Sequence, residues 1–344
     1  MMEQPRIGID LGNHVVKVAR MSPRDRSAVA QVVPLHFESD MGNRGWLDAV
    51  EGAIRLAAEA AGIRLSGASA TVLLPSNWVE VRWLEGWKGE MDRGAEEEIH
   101  SFVTDRLAQE LEDTVWDCWV PGAADSGRVG VVFVSRARSA LVGELAKRLR
   151  LSQVIGDALF WSHGRLAKAI DSGGNSPIAI LDWGAKATWF TAIVRGVPQF
   201  CRRLPRIMLE DALRTAAHAL RVHPGELVEF AARAAAGRVS DDLSDAWESL
   251  LADVATAHVA QLAEELSRTL RYVQAKLPQA FPERIIAIGG GATLEPLLRE
   301  LAERLAPLPL VPLTALGLPR VLNELTANAL ACSRVKGRID ALTL

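Results

Sequence analysis

The chain has 344 residues, a formal net charge of −3 and 49% hydrophobic residues, enough apolar material for a core in each of two domains. Basic and acidic residues are interleaved, so no broad positive field exists to hold a polyanion, and nucleic acid is not an expected partner. Cys118, Cys201 and Cys332 are far apart and share no metal-ligand spacing with histidine, which suits a reducing compartment. A charged strand and turn follow the first residues at once, leaving no room for the apolar core of a signal peptide. The most apolar tract, "LAPLPLVPLTALGL", is too short and too rich in proline for a membrane helix. A soluble, cytoplasmic protein with no transmembrane segment is expected.

In chain order, β-branched runs predict strands at "RIGI", "HVVKVARM", "AVAQVVPLHF" and "SATVLLP". A helix, "LDAVEGAIRLAAEAAG", separates the third from the fourth and stops at Gly62. After the strand "EVRWLEGW" come an acidic helix, "GEMDRGAEEEIHSFVTDRLAQEL", and the strand "VWDCWVP". A polar turn at "GAADSGR", the buried strand "VGVVFVS" and the helix "ARSALVGELAKRLRL" complete what reads as a self-contained unit. "DSGGNS" is a linker or exposed loop. The chain then restarts with "PIAILDWGAKATWFTAIVRGVPQF".

The restart repeats the opening. "IGIDLGNHVVKVARM" and "IAILDWGAKATWFTAIV" share one design: an apolar strand, Asp, one residue, Gly, a few turn residues and a second strand. Asp and Gly dominate hairpin turns on local grounds alone, but the same turn opening each half of one chain points to a common purpose. Further on, the strand "RIIAIGGG" ends in Gly289, Gly290 and Gly291, with Ala292 and the helix "TLEPLLRELAERL" after it. Glycines at such a junction either admit a ligand close to the backbone or make a tight turn for packing. In "AHVAQLAEELSRTLRYVQAKL", Val259, Leu262, Leu266, Leu270, Val273 and Leu277 form the buried stripe. Gln261, Glu265, Arg268 and Tyr272 form a neighbouring one, in which Glu265 and Arg268 either pair with each other or face a cleft.

These pieces in this order resemble the actin-like ATPase superfamily, and over nearly the whole chain they resemble the PilM family of type IV pilus assembly proteins and the related FtsA proteins. The first hairpin is similar to the family's Asp-x-Gly-Ser-x-x-x-Lys, here Asp10, Gly12, Asn13 and Lys17. The second is similar to Asp-x-Gly-Ala-x-Thr-Thr, here Asp182, Gly184, Ala185, Lys186, Ala187 and Thr188, with Arg195 and Gly196 at the next turn. "EELSRTLRYV" and "IGGGATLEPLLRELAERL" resemble the family's two adenosine elements. The resemblance implies an α/β actin-like ATPase fold: two related RNase H-like domains, an inserted subdomain 1C of the FtsA/PilM type and a small helical subdomain 2B. On that pattern, subdomain 1A takes residues 1–81, 152–174 and 322–344, and 1C takes 82–151. Subdomain 2A takes 175–202 and 258–321, and 2B takes 203–257.

The resemblance also implies ATP and Mg²⁺ as ligands. Asp10 and Asp182 would hold the metal through water, and Lys17 would neutralise phosphate charge. Thr188 would donate a hydroxyl, and Glu265 and Arg268 would contact the nucleoside. Gly12, Asn13, Gly184, Ala185, Lys186, Gly289, Gly290, Gly291 and Ala292 complete the nucleotide-binding set. Asp157, in the position of the family's connecting-helix acid, is the one candidate for placing water in line with the terminal phosphate. Asn13 and Ala187 stand where the family has hydroxyl residues and Lys186 where a small one is usual, so ATP binding is expected ahead of turnover, with at most a slow ATPase.

The implied role is a cytoplasmic assembly adaptor of a type IV pilus or related secretion machine, held at the inner membrane by the cytoplasmic tail of a PilN-like partner. Self-association is a further option within the superfamily. The alternatives are a nucleotide-independent scaffold like GspL and a filament-forming ATPase like FtsA. Trp78, Trp83, Trp87, Trp116 and Trp119 cluster in and beside the insert and form either a core or a groove for an apolar peptide.

Overall fold

The computed structural model describes residues 6–12, 15–21, 28–35, 44–88, 95–121, 127–170, 176–205, 207–223, 226–227, 241–316 and 328. The chain divides into two compact units, the first formed by Met1–Ala169, Gly196–Gln199 and Thr326–Leu344, the second by Ile170–Arg195 and Phe200–Leu325.

The first unit is built on β1 (Ile7–Leu11), β2 (Val15–Met21), β3 (Ala28–Pro34), β4 (Ser69–Leu73) and β8 (Gln153–Asp157), in the order β3-β2-β1-β4-β8. β1 runs antiparallel to β2, and β1, β4 and β8 run parallel. Every residue of β1 is buried, as a central strand covered on both faces requires, and this is why its sequence is nearly continuous in apolar residues. Helix α1 (Arg44–Ala60) packs Trp46, Leu47, Val50 and Ile54 against the sheet.

The second unit repeats that plan. Strands β9 (Ile178–Trp183), β10 (Thr188–Val194), β11 (Val197–Leu204), β12 (Arg284–Ile288) and β13 (Leu310–Pro312) lie in the order β11-β10-β9-β12-β13. The senses repeat too: β9 and β10 are antiparallel, and β9, β12 and β13 are parallel. The β10–β11 connection is the two-residue turn Arg195-Gly196, with φ of 53° and 72°, which matches the twist of a tight hairpin.

A separate sheet lies between β4 and β8 in the chain. β5 (Glu80–Glu85), β6 (Thr114–Trp119) and β7 (Arg128–Ser135) make an antiparallel sheet with β7 in the middle. Helix α2 (Ala95–Leu111) lays Ile99, Val103, Leu107 and Leu111 onto Val129, Val131 and Phe133, with Trp87 and half-buried Trp116 at the margin. Helix α3 (Arg136–Arg148) begins where the Ser135 hydroxyl accepts from the Arg138 N–H, and it ends on Lys147 and Arg148, the charges that suit a helix C-terminus. Arg128, expected within the polar turn, instead opens β7 and is buried.

Helix α5 (Leu209–Leu220) and the helix α6 (Asp241–Lys276) account for the described part of the helical segment. α6 is continuous, so the boundary expected at 257/258 falls inside one helix, and β11 runs on past the boundary expected at 202/203. The last helix expected from residue 322, apart from Asn328, and the linker expected at 171–176, apart from Ser176, lie outside the described residues. Asn328 is described, and its side-chain oxygen accepts from the Ser162 hydroxyl at 3.1 Å.

Candidate functional site

Two hairpins carry the candidate residues, one in each unit. In the first, Asp10 and Lys17 are direct partners across the β1–β2 ladder. The Lys17 ammonium lies 2.8 Å from Asp10 Oδ2, with the two side chains 12% and 7% exposed. A Cβ on Gly12 would lie 2.6 Å from the Val15 carbonyl oxygen and 3.3 Å from the Lys17 nitrogen, so only glycine lets the turn close there. Asn13 lies outside the described residues.

The second hairpin has the same geometry. A Cβ on Gly184 would lie 2.7 Å from the Ala187 oxygen, and the Gly184 N–H donates to that oxygen at 3.1 Å. Asp182, nearly buried, faces Trp189 in the ladder, so tryptophan occupies the place that Lys17 holds opposite Asp10. The start of α5 closes onto the turn: the N–H groups of Leu209 and Glu210 donate to the carbonyls of Gly184 and Ala185 at 3.2 and 3.1 Å. Among the described residues the N–H groups of Ala185, Lys186 and Ala187 have no backbone acceptor. The Lys186 ammonium reaches Glu210 at 2.7 Å, which draws it toward α5. Thr188 is fully buried, and its hydroxyl donates to the Ile207 carbonyl at 2.6 Å. Its one proton thus serves the backbone, whereas donation to a phosphate was expected.

The glycine triplet follows β12. Gly289 has φ of 83°, and a Cβ there would lie 2.6 Å from Asp182 Oδ1. A Cβ on Gly291 would lie 2.2 Å from Trp183 Cδ2, far inside van der Waals contact with the indole. The glycines therefore admit Asp182 and Trp183, the packing role among the two open readings. A short 3-10 turn, Gly290–Thr293, comes next, with Ala292 buried, and the α-helix α7 (Glu295–Leu305) starts only at Glu295 with Pro296 in its first turn. Trp183, absent from the sequence reading, is fully buried and stacks on His258, with ring centres 5.8 Å apart and planes at 12°. Burial pushes the His258 pKa below its usual value, opposed in part by Asp211. Its signal in the sequence was a tryptophan inside an Asp-x-Gly turn.

On α6, Glu265 accepts from Arg268 at 2.8 Å and from Arg202 of β11 at 3.2 Å, and Arg268 also pairs with Glu264. Arg202 also donates to the Thr269 hydroxyl at 3.0 Å, and Phe200 lies against Tyr272. Here the alternative in which Glu265 and Arg268 pair with each other is the one observed. Asp157, at the end of β8, is wholly buried and ion-paired with Arg165 of α4 (Leu159–Ile170). That pairing engages the carboxylate expected to place water. Among the described residues no group of three His, Cys, Asp or Glu side chains is placed to hold a metal. Cys118 is no nucleophile, since burial, Asp117 and Glu96 push its pKa up to about 12.

The expected tryptophan cluster is largely core. Trp78 is buried against Trp46, with ring centres 5.1 Å apart. Trp119 stacks on Phe160 at 4.6 Å, meets Trp83 at 5.0 Å and Trp161 at 5.2 Å, and donates its N–H to the Pro198 carbonyl at 3.1 Å. Trp83 and Trp161 keep part of their surface exposed.

Repeated sheets, each with an Asp-x-Gly hairpin, and an insert with its own core decide the architecture. The fold is that of the actin-like ATPases. The chain is similar over 96% of its length, and 98% of the other, to a chain of the PilM–PilN type IV pilus biogenesis complex, with a TM-score of 0.76 and 18% identity. It is also similar to the ethanolamine utilization protein EutJ from Carboxydothermus hydrogenoformans, over 97% of this chain and 90% of that one, with a TM-score of 0.57 and 12% identity. No protein-family model and no curated protein sequence matches the chain. Among the described residues no helix is long and apolar enough to cross a membrane.

Proposed function

We propose that this protein is a nucleotide-binding assembly adaptor of a type IV pilus or related secretion machine, which docks the cytoplasmic tail of a PilN-like inner-membrane protein and is held at the membrane by it. The observation that carries this reading is the end-to-end structural match to a chain of the PilM–PilN complex, insert included. An actin-like protein that keeps a whole extra subdomain with its own hydrophobic core has a use for that surface.

ATP with Mg²⁺ is the proposed ligand. The cradle at Gly12 beside Lys17, and the N–H groups at Ala185, Lys186 and Ala187, which have no backbone acceptor among the described residues, suit phosphate oxygens. Asp10 in the first hairpin and Asp182 in the second are each a carboxylate suited to a hydrated metal ion. Lys17 would exchange Asp10 for phosphate when the metal takes over its role. Turnover is at most slow, because Asp157 is tied to Arg165.

A specific observation favours the second reading, a scaffold that has no need of nucleotide. The polar groups of Lys17, Thr188, Lys186 and Arg268 all have protein partners. The adaptor role is tested by mixing the purified full-length protein with the fluorescently labelled cytoplasmic tail of a PilN-like protein from the same genome. Saturable binding that an unrelated tail cannot compete away is expected, and no binding overturns the docking role.

A further inference from the structure

Successive N–H groups of the second hairpin turn, those of Ala185, Lys186 and Ala187, have no backbone acceptor among the described residues. The Lys186 side chain leaves from the same turn and is 42% exposed, so it can reach an anion seated on those N–H groups. The hydroxyls that could share that work are absent or engaged: residue 187 is alanine, and the Thr188 hydroxyl donates to the Ile207 carbonyl. Lys186 is held elsewhere, 2.7 Å from Glu210 Oε2. Glu210 is itself tied to the turn, because its N–H donates to the Ala185 carbonyl at 3.1 Å. Its other carboxylate oxygen accepts from Arg214, one turn further along α5, at 3.3 Å. Glu210 therefore keeps a cation when Lys186 leaves.

We propose that Glu210 is a charge gate on the phosphate site: it holds Lys186 in the free protein, and a phosphate chain opens the gate by taking Lys186 from it. The inference rests on the ATP binding proposed above and adds how that site is controlled. The two states differ in the partner of one ammonium group. In the free state the lysine meets a carboxylate that already shares a second cation. In the bound state it meets phosphate oxygens carrying more than one negative charge, beside the N–H groups of its own turn. A part-exposed ion pair adds little to stability, so Lys186 leaves Glu210 at small cost. The backbone bond from Glu210 to Ala185 keeps the carboxylate beside the turn, ready to recapture the lysine when phosphate departs. The gate lowers affinity in the native protein and so raises the ATP concentration that fills the site.

The test is calorimetric titration of the full-length protein with ATP and Mg²⁺, run on the native chain, Glu210→Gln, Lys186→Ala and the double variant. Both changes fall on part-exposed side chains, so each protein is expected to fold. Glu210→Gln should bind about fivefold more tightly than the native chain, the upper range for a part-exposed ion pair, and Lys186→Ala more weakly. Against Lys186→Ala the glutamine change should bring a gain under about twofold, since no lysine remains to be released. Equal gains in the two backgrounds, or no gain in either, overturn the gate and leave ATP binding intact. Binding by Glu210→Gln but not by the native chain would support the gate and overturn ATP binding by the native protein. No binding by any of the proteins overturns the ATP reading, and the gate with it.

Discussion

Asp10 and Lys17 stand directly opposite each other on β1 and β2, with the ammonium 2.8 Å from the carboxylate, whereas in the second unit the same two ladder positions hold Asp182 and Trp189. One half of the repeat carries its own counter-ion and the other carries an indole. The pair in the first half is nearly buried, so removing one partner strands a charge in a poorly solvated place. Lys17→Met is expected to destabilise the protein by about 3 kcal/mol, and Lys17→Met with Asp10→Leu to recover most of that loss. Urea unfolding of the two single variants and the double variant measures it. Additive losses would mean that the two groups are not coupled.

Trp183 packs where a side chain on Gly291 would sit. Gly291→Ala should therefore cost about 1–3 kcal/mol through overpacking, and pairing it with Trp183→Leu should cost less than the two changes summed. Thermal melts of the three variants decide it. If Gly291→Ala is neutral, the close approach is not what holds the triplet to glycine.

His258 lies on Trp183 with its pKa lowered by burial. The neutral ring is the form the folded protein favours, so the unfolded chain binds the proton first as pH falls. The stability due to His258 is fully present above the ordinary histidine pKa of about 6.5 and is lost as pH falls from there through the lowered folded value. Melting temperature followed downward from neutral pH should fall less steeply in His258→Gln than in the native protein. Equal slopes would show that other groups carry the acid sensitivity.

Asp157 offers a sharper separation of roles. Buried and paired with Arg165, it should act on stability: Asp157→Asn is expected to cost about 3 kcal/mol by leaving Arg165 without its counter-charge. A base working on water would instead show unchanged stability and lost ATP turnover.

The hairpins were legible because their information is local. An apolar strand, Asp-x-Gly and a second strand fix the turn and the register together, so Asp10, Lys17, Gly184 and Thr188 were placed on the right elements. The helix expected from Thr293 starts two residues later, at Glu295, because a 3-10 turn takes up Thr293, and Pro296 marks the true first turn. The partners of Glu265 and Thr188 were hidden for a different reason. Arg202 reaches Glu265 from β11, and Ile207 meets Thr188 through the fold of the chain beyond that strand, so neither contact has a periodic trace. Arg128 was hidden by its neighbours, since glycine and small polar residues before it read as a turn, and a buried charge violates the pattern that marks strands.

The proposal that the protein binds ATP is tested most directly by calorimetric titration of the full-length protein with ATP and Mg²⁺, beside Lys17→Ala. The account predicts saturable binding that requires Mg²⁺ and weakens at least tenfold, about 1.4 kcal/mol, in Lys17→Ala. No heat and no thermal shift with the native protein, while the tail peptide still binds, would contradict it and leave the fold as a docking scaffold alone.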